Sequence, residues 1–225
     1  MKGLFITFEG TEGGGKSTQI ARLAERLRHL DHPVRLLREP GGTPIGEEIR
    51  HTLKHSDVNR AMTAEAELLM MNASRAQLVR EVIRPALAAG EIILCDRFYD
   101  STTAYQGYGR GLPLSVVAKV IGFAVGETRP DLTLLLHVPI GVSEARRQTR
   151  GQASSEPRDR MEEADRGFFE RVEAGYRAIA EAEPGRVKWI DANQTLEEVG
   201  AAIWKQVEVL LPGKQTKPDK TKPDR

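Results

Sequence analysis

The chain has 225 residues, 40% of them hydrophobic and 29% charged, which is enough apolar material to build one sizeable buried core. Its formal net charge of +1 argues against a protein whose main task is coating nucleic acid. The one cysteine, Cys95, cannot form an internal disulfide or a multi-cysteine metal site, and no apolar run approaches the roughly 20 residues of a membrane span.

Short apolar runs alternate with longer helical patterns along the chain. Residues 4–8 read as a buried strand, followed by a Gly-rich loop. Residues 17–30 put Ile20, Leu23, Ala24 and Leu27 on one helical face. Residues 34–37 form a second strand, 39–46 a Pro/Gly loop, and 45–53 and 63–87 two helices. The third strand is 92–95, ended by Asp96; the fourth is 132–138 and the fifth 187–190. Helices are expected at 114–125, 142–149, 163–182 and 196–211. Strands alternating with helices need crossover connections. The fold predicted is therefore a doubly wound, five-stranded parallel α/β sheet with helices on both faces, in one domain over residues 1–211. No internal repeat interrupts it. Residues 149–163 are polar and lie between two helices, as either a lid or a surface loop. Residues 212–225 carry a Thr-Lys-Pro-Asp near-repeat with nothing to bury, and read as a disordered tail. The first nine residues have no secretory h-region, so a reducing, cytoplasmic setting is expected.

The loop after the first strand, Gly10-Thr11-Glu12-Gly13-Gly14-Gly15-Lys16-Ser17, fits G-x-x-x-x-G-K-[ST] at every fixed position. It follows a strand and opens an amphipathic helix, as its chemistry requires. Glycines let backbone N–H groups point inward at a phosphate, and the helix N-terminus adds favourable partial charge. Lys16 is placed to reach the β- and γ-phosphates of ATP and Ser17 to hold Mg²⁺. The bland alternative is an ordinary Gly-rich strand-to-helix turn. There is no Asn-Lys-x-Asp motif for guanine, and the fourth strand ends in His137-Val138-Pro139 without an acid.

The third strand does end in an acid, Asp96, directly followed by Arg97. Carboxyl ends of parallel strands are where α/β sheets bind ligands. Asp96 could orient water on Mg²⁺ and Arg97 could clamp a second phosphate; a strand-end salt bridge is the competing reading. Arg38-Glu39-Pro40-Gly41-Gly42-Thr43 leaves the second strand at the same edge, with Arg50 soon after. Arg75 interrupts an otherwise apolar helix, one turn after Met71. It either snorkels to the surface or faces a cleft, and its convergence with the other segments favours the cleft.

These motifs together resemble the bacterial thymidylate kinase family over residues 4–211. The resemblance rests on Phe8-Glu9-Gly10 through Thr18, on Arg38 through Thr43, and on Asp96-Arg97-Phe98-Tyr99-Asp100-Ser101 through Gly107. Arg129-Pro130-Asp131-Leu132 and Asp159-Arg160-Met161-Glu162 add to it. The resemblance implies ATP and dTMP as substrates, Mg²⁺ as cofactor and a homodimer. It implies that residues 10–18 (Gly10, Thr11, Glu12, Gly13, Gly14, Gly15, Lys16, Ser17 and Thr18) hold ATP. Arg50 and Arg97 would bind the dTMP phosphate, and Glu12 would lie near the sugar 3′-hydroxyl. Arg75 would face the thymine edge with Thr102 and Gln106 close by, and Tyr105 would crowd the 2′ position. The turn Asp191-Ala192-Asn193-Gln194 would lie near the adenine of ATP.

Two positions depart from common family patterns. Met71 stands where many members have a stacking Phe. Gly13 stands where some members carry an arginine that neutralises the migrating phosphoryl group. With Gly13 uncharged, that arginine is expected in the segment after the fourth strand: Arg150 first and Arg146 second. The catalytic set expected is thus Lys16, Arg97 and Arg150, with Ser17 and Asp96 at the metal. A deoxynucleoside kinase acting on a neutral 5′-hydroxyl is the nearer rival, but it needs a carboxylate base and less cationic charge. A non-catalytic nucleotide-binding regulator is the other; an intact Lys16-Ser17 and Asp96-Arg97 count against it.

Overall fold

The structure, a computed structural model, describes residues 3–56, 58–153 and 165–211, with backbone only for residues 147, 148 and 150–153. The expected tail and most of the expected lid lie outside those residues. Five strands, β1 (Leu4–Glu9), β2 (Val34–Arg38), β3 (Ile92–Asp96), β4 (Leu132–His137) and β5 (Val187–Asp191), form one sheet in the order β2-β3-β1-β4-β5. Every pairing is parallel. The helices are α1 (Lys16–His29), α2 (Pro44–Lys54), α3 (Ala64–Leu78), α4 (Arg84–Ala88), α5 (Tyr99–Thr102), α6 (Leu114–Val125), α7 (Ile140–Ala153), α8 (Arg166–Ala182) and α9 (Leu196–Val207). None of them is long and apolar enough to cross a membrane among the described residues.

Alternation within the strands builds both layers. Ile6 and Phe8 pack with Ile20, Leu23 and Leu27 of α1 and Val199 and Ile203 of α9. Phe5, one residue out of phase, packs on the other face with Ile93, Leu78, Val117 and Ile121. The three inner strands β1, β3 and β4 are buried on both sides, which is why they read as continuous apolar runs, whereas the edge strand β2 is largely exposed. Phe5 and Phe8 are fully buried, each contributing about 1.5–3 kcal/mol of transfer free energy. A third cluster joins Phe168, Phe169, Val172 and Tyr176 of α8 to Tyr105 and Leu135.

Three expectations need correcting. Residues 63–87 are not one regular helix: α3 passes through a π-type turn at Val79–Ile83 before α4. Pro85 lacks an N–H and its ring would crowd the carbonyl four residues back, so the ladder widens there. The helix after β4 does not stop near 149; α7 runs on to Ala153, so the first part of the expected lid is helical. Finally, residues 99–109 are helical: α5 continues into a π-type turn at Thr103–Gly109. No helix was expected there, because Thr, Tyr and Gly are weak helix formers.

Candidate active site

The candidate site lies along the carboxyl edge of the sheet. Gly10, Gly13 and Gly15 all have positive φ, of 122°, 79° and 78°, and so curl the loop after β1. A Cβ at Gly10 would collide with the carbonyl oxygen of Leu136 on β4, so the loop is packed as closely as a glycine permits. Lys16 Nζ donates to the carbonyls of Gly10 and Thr11 at 3.1 and 3.0 Å. Burial, with the neighbouring Arg97 charge next, lowers its pKa to about 8. From α7, Ser143 Oγ donates to the Glu12 carbonyl at 2.6 Å and Arg146 Nη1 to the Gly13 carbonyl at 2.9 Å. The loop is thus held from behind by a helix far along the chain.

Ser17 Oγ donates to Asp96 Oδ2 at 3.3 Å across the first turn of α1. Asp96 Oδ1 is buried and lacks a hydrogen-bond partner among the described residues. A hydroxyl beside a carboxylate with one oxygen to spare fits a hard divalent cation such as Mg²⁺. No group of three or more His, Cys, Asp or Glu could hold a metal alone among the described residues. An ion here would therefore share its ligands with phosphate and water, as Mg²⁺ commonly does.

Arg97 follows directly, with a left-handed φ of 69° that a non-glycine residue rarely adopts. Its Nη1 donates to Ser101 Oγ at 3.1 Å and Tyr176 Oη at 3.3 Å; its Nη2 donates to Tyr105 Oη at 3.3 Å and lies 3.6 Å from Glu12 Oε1. Behind it sits Glu9, fully buried. Burial, with Asp100 next, pushes its carboxyl up to about 7, while Arg97 and hydrogen bonds pull the other way.

Arg75 does not snorkel. It is 2% exposed, with Nε 2.8 Å and Nη2 2.7 Å from Glu39 Oε2. Its Nη1 donates to Asn72 Oδ1 and Thr102 Oγ1, both at 2.9 Å, and its Nη2 to the Phe98 carbonyl at 3.1 Å. Gln106 Nε2 donates to Glu67 Oε1 at 2.8 Å. Met71, Arg75, Thr102, Tyr105 and Gln106 line one cleft. Gly13, Gly15, Lys16, Ser17, Thr18, Arg50 and Asp96 line a second. Glu12, Glu39, Lys54 and Arg97 line both, so the two clefts meet at an arginine and a lysine. Arg50 Nη1 also donates to the Pro40 carbonyl at 2.9 Å, which ties α2 to the loop after β2. The Asp191–Gln194 turn leaves β5 at the same edge, where Asp191 Oδ1 accepts from the Asn193 N–H at 2.9 Å. Arg150 belongs to α7, but its side chain lies outside what is described.

The model of the thymidylate kinase family matches residues 8–203. The chain belongs to that family. It is 49% identical over 201 residues to the thymidylate kinase of Syntrophotalea carbinolica, covering 89% of this chain and 93% of that protein. It is 49% identical over 212 residues to the one from Ectopseudomonas mendocina, covering 94% and 96%. The crystal structure of the Ehrlichia chaffeensis thymidylate kinase superposes with a TM-score of 0.73 at 31% identity, over 92% of this chain and 99% of that one.

Within the thymidylate kinase frame, sequence reasoning left several site residues without a role. Lys54 lies four residues after Arg50 on α2, a spacing that puts both on one helical face and could have been read. Glu39 stood inside a recognised motif with no partner assigned. Glu9 stood inside a quoted motif with no role assigned, and Tyr176 carried no local signal: it reaches Arg97 from 79 residues away.

Proposed function

We propose that the protein transfers the γ-phosphoryl group of ATP to dTMP, giving ADP and dTDP. The observation that carries this reading is the junction of the two clefts. A polar cleft around Lys16 suits the triphosphate. A more apolar one around Met71 and Arg75 suits a base and sugar. Arg97 stands where the two meet, facing the place an acceptor phosphate would occupy.

The acceptor is already an anionic phosphate oxygen, so the reaction needs no general base. That oxygen bonds to the γ-phosphorus, the bond from γ-phosphorus to the bridging oxygen breaks, and ADP leaves. The protein's task is positioning and offsetting charge. Residues 10–18 cradle the donor and Lys16 sits at its outer phosphates. Arg50 and Arg97 hold the acceptor phosphate. Arg75, with Thr102 and Gln106, frames the base, and Tyr105 narrows the space at the sugar. Ser17 and Asp96 would hold Mg²⁺, which when bound offsets charge on the donor's phosphate oxygens. Arg150 is the arginine assigned to the migrating phosphoryl group.

A homodimer fits the surface. Val116 and Phe123 lie seven residues apart on α6 and are 48% and 86% exposed, and Leu69 on α3 is 58% exposed. Apolar groups left in water at that spacing suit a second copy of the chain. A cytoplasmic setting accords with the buried thiol of Cys95.

The test is ADP release by the purified protein with dTMP, with thymidine, with UMP and with no acceptor. dTMP is expected to be consumed far faster than the others. Equal turnover of thymidine would replace this reading with a deoxynucleoside kinase, and no turnover with any acceptor would leave a nucleotide-binding regulator.

A further inference from the structure

Glu9 closes β1 and is wholly buried, yet it touches neither cleft. Its two carboxylate oxygens have separate duties. Oε1 accepts from the backbone N–H groups of Phe98 and Ser101 at 2.8 and 3.3 Å, at the start of α5. Oε2 accepts from Ser101 Oγ at 2.5 Å and Tyr176 Oη at 2.9 Å. These are the same two hydroxyls that accept from Arg97 Nη1.

We propose that Glu9 is a positioning residue for Arg97, fixing the direction of the two hydroxyls that hold its guanidinium. This rests on the reading of Arg97 as a ligand of the acceptor phosphate. The argument is one of proton count. Ser and Tyr each have a single hydroxyl hydrogen. An ionised carboxylate can only accept, so it draws both hydrogens to itself. That leaves the lone pairs of both oxygens facing Arg97, which can only donate. Turn either hydroxyl round and its hydrogen would oppose the N–H of Arg97. Glu9 therefore sets Arg97 from one layer further back, through partners supplied by α5 and by α8. The two hydroxyl oxygens lie 3.0 Å apart; with both hydrogens on Glu9 neither donates to the other, and both oxygens face Nη1 of Arg97.

Glu9→Gln separates this role from a purely structural one. Glutamine keeps a carbonyl oxygen for the two backbone donors at α5. It replaces the other oxygen with an amide N–H₂ that cannot accept from either hydroxyl. At a pH of about 8, above the value near 7 for Glu9, the parent carboxylate is ionised. There the variant is expected to raise the KM for dTMP by about tenfold, the scale of one hydrogen bond to a charged group. The KM for ATP should stay within about twofold and the melting temperature nearly unchanged, because the Oε1 bonds persist. Tyr176→Phe, which removes one of the two acceptors, should raise the dTMP KM less and in the same direction. In an Arg97→Ala background neither change should add to the loss, since coupled sites are not additive.

A dTMP KM within about twofold of the parent for Glu9→Gln would overturn the proposal. So would an equal further loss in the Arg97→Ala background. If Glu9→Gln does not fold, Tyr176→Phe with the same cycle decides the matter by the same criteria. Arg97→Ala with an unchanged dTMP KM would overturn the assignment of Arg97 itself, and the Glu9 proposal with it. That outcome is recognised by the single variant alone.

Discussion

Nη2 of Arg75 lies 2.7 Å from Oε2 of Glu39, and the two side chains are 2% and 3% exposed. The pair crosses from α3 to the loop after β2 and forms one wall of the apolar cleft. Burial raises the carboxyl of Glu39, and the charge and hydrogen bond of Arg75 pull it back. Removing one partner strands the other's charge, which costs about 3–5 kcal/mol. Arg75→Ala is therefore expected to lower stability on that scale as well as weaken dTMP binding. Urea unfolding checks it: a loss below about 1 kcal/mol would show that water reaches Glu39 in the variant.

ATP binding should take up a proton on the alkaline side of neutrality. Lys16 has a pKa of about 8 in the free protein because burial opposes its charge. Phosphates beside it favour the charged form and raise that value. Affinity for ATP should then fall as pH rises through about 8. Calorimetry at alkaline pH in buffers of different ionisation enthalpy measures the uptake directly. Zero uptake would mean that Lys16 is already fully charged before ATP arrives.

Met71 lines the cleft that holds Arg75, so its side chain is available to a bound base. Met71→Phe should lower the KM for dTMP, since aromatic stacking contributes about 0.5–1.5 kcal/mol beyond area burial. An unchanged KM accompanied by a lower melting temperature would mark Met71 as packing only.

The two arginines of α7 should separate by kinetic parameter. Arg146 is engaged with the carbonyl of Gly13, so Arg146→Ala should loosen the phosphate loop and raise the KM for ATP. Arg150, one turn further along, is the residue assigned to the migrating phosphoryl group. Arg150→Ala should lower kcat by about a hundredfold or more with little change in melting temperature, in line with the weight such arginines carry in phosphate-loop enzymes. A kcat within about threefold of the parent would move that role to another arginine.

What could be read in the chain beforehand follows how local each signal is. The inner strands β1, β3 and β4 were legible as short apolar runs, because a strand covered on both faces needs apolar residues throughout, and the edge strands β2 and β5 as shorter runs broken by Arg35 and Lys188. The phosphate loop was legible because its spacing is fixed within eight residues. The helix at 99–109 was not: its residues are poor helix formers, and its first turn is capped by the carboxylate of Glu9, 89 positions from Phe98 in the chain. The π-type turn before Pro85 was missed because the apolar pattern runs straight through it. At the site, Lys16, Ser17, Asp96 and Arg97 were each announced by their neighbours. Their partners were not, because Glu39 meets Arg75, and Tyr176 meets Arg97, only when the chain is folded.

The closeness of α7 to Gly13 links two positions 133 residues apart. A Cβ at Gly13 would lie 3.1 Å from Cβ of Arg146 and 3.3 Å from the Ser143 carbonyl, on a backbone with φ of 79°. A left-handed backbone alone costs an L-residue about 1–2 kcal/mol. Placing an arginine at position 13 is therefore not a single mutational step. An arginine at 13 would meet the side chain already holding the loop, so gaining one would require remodelling the other. The two positions form one steric unit, so what residue 13 can be is decided in part by a helix 133 residues further along the chain.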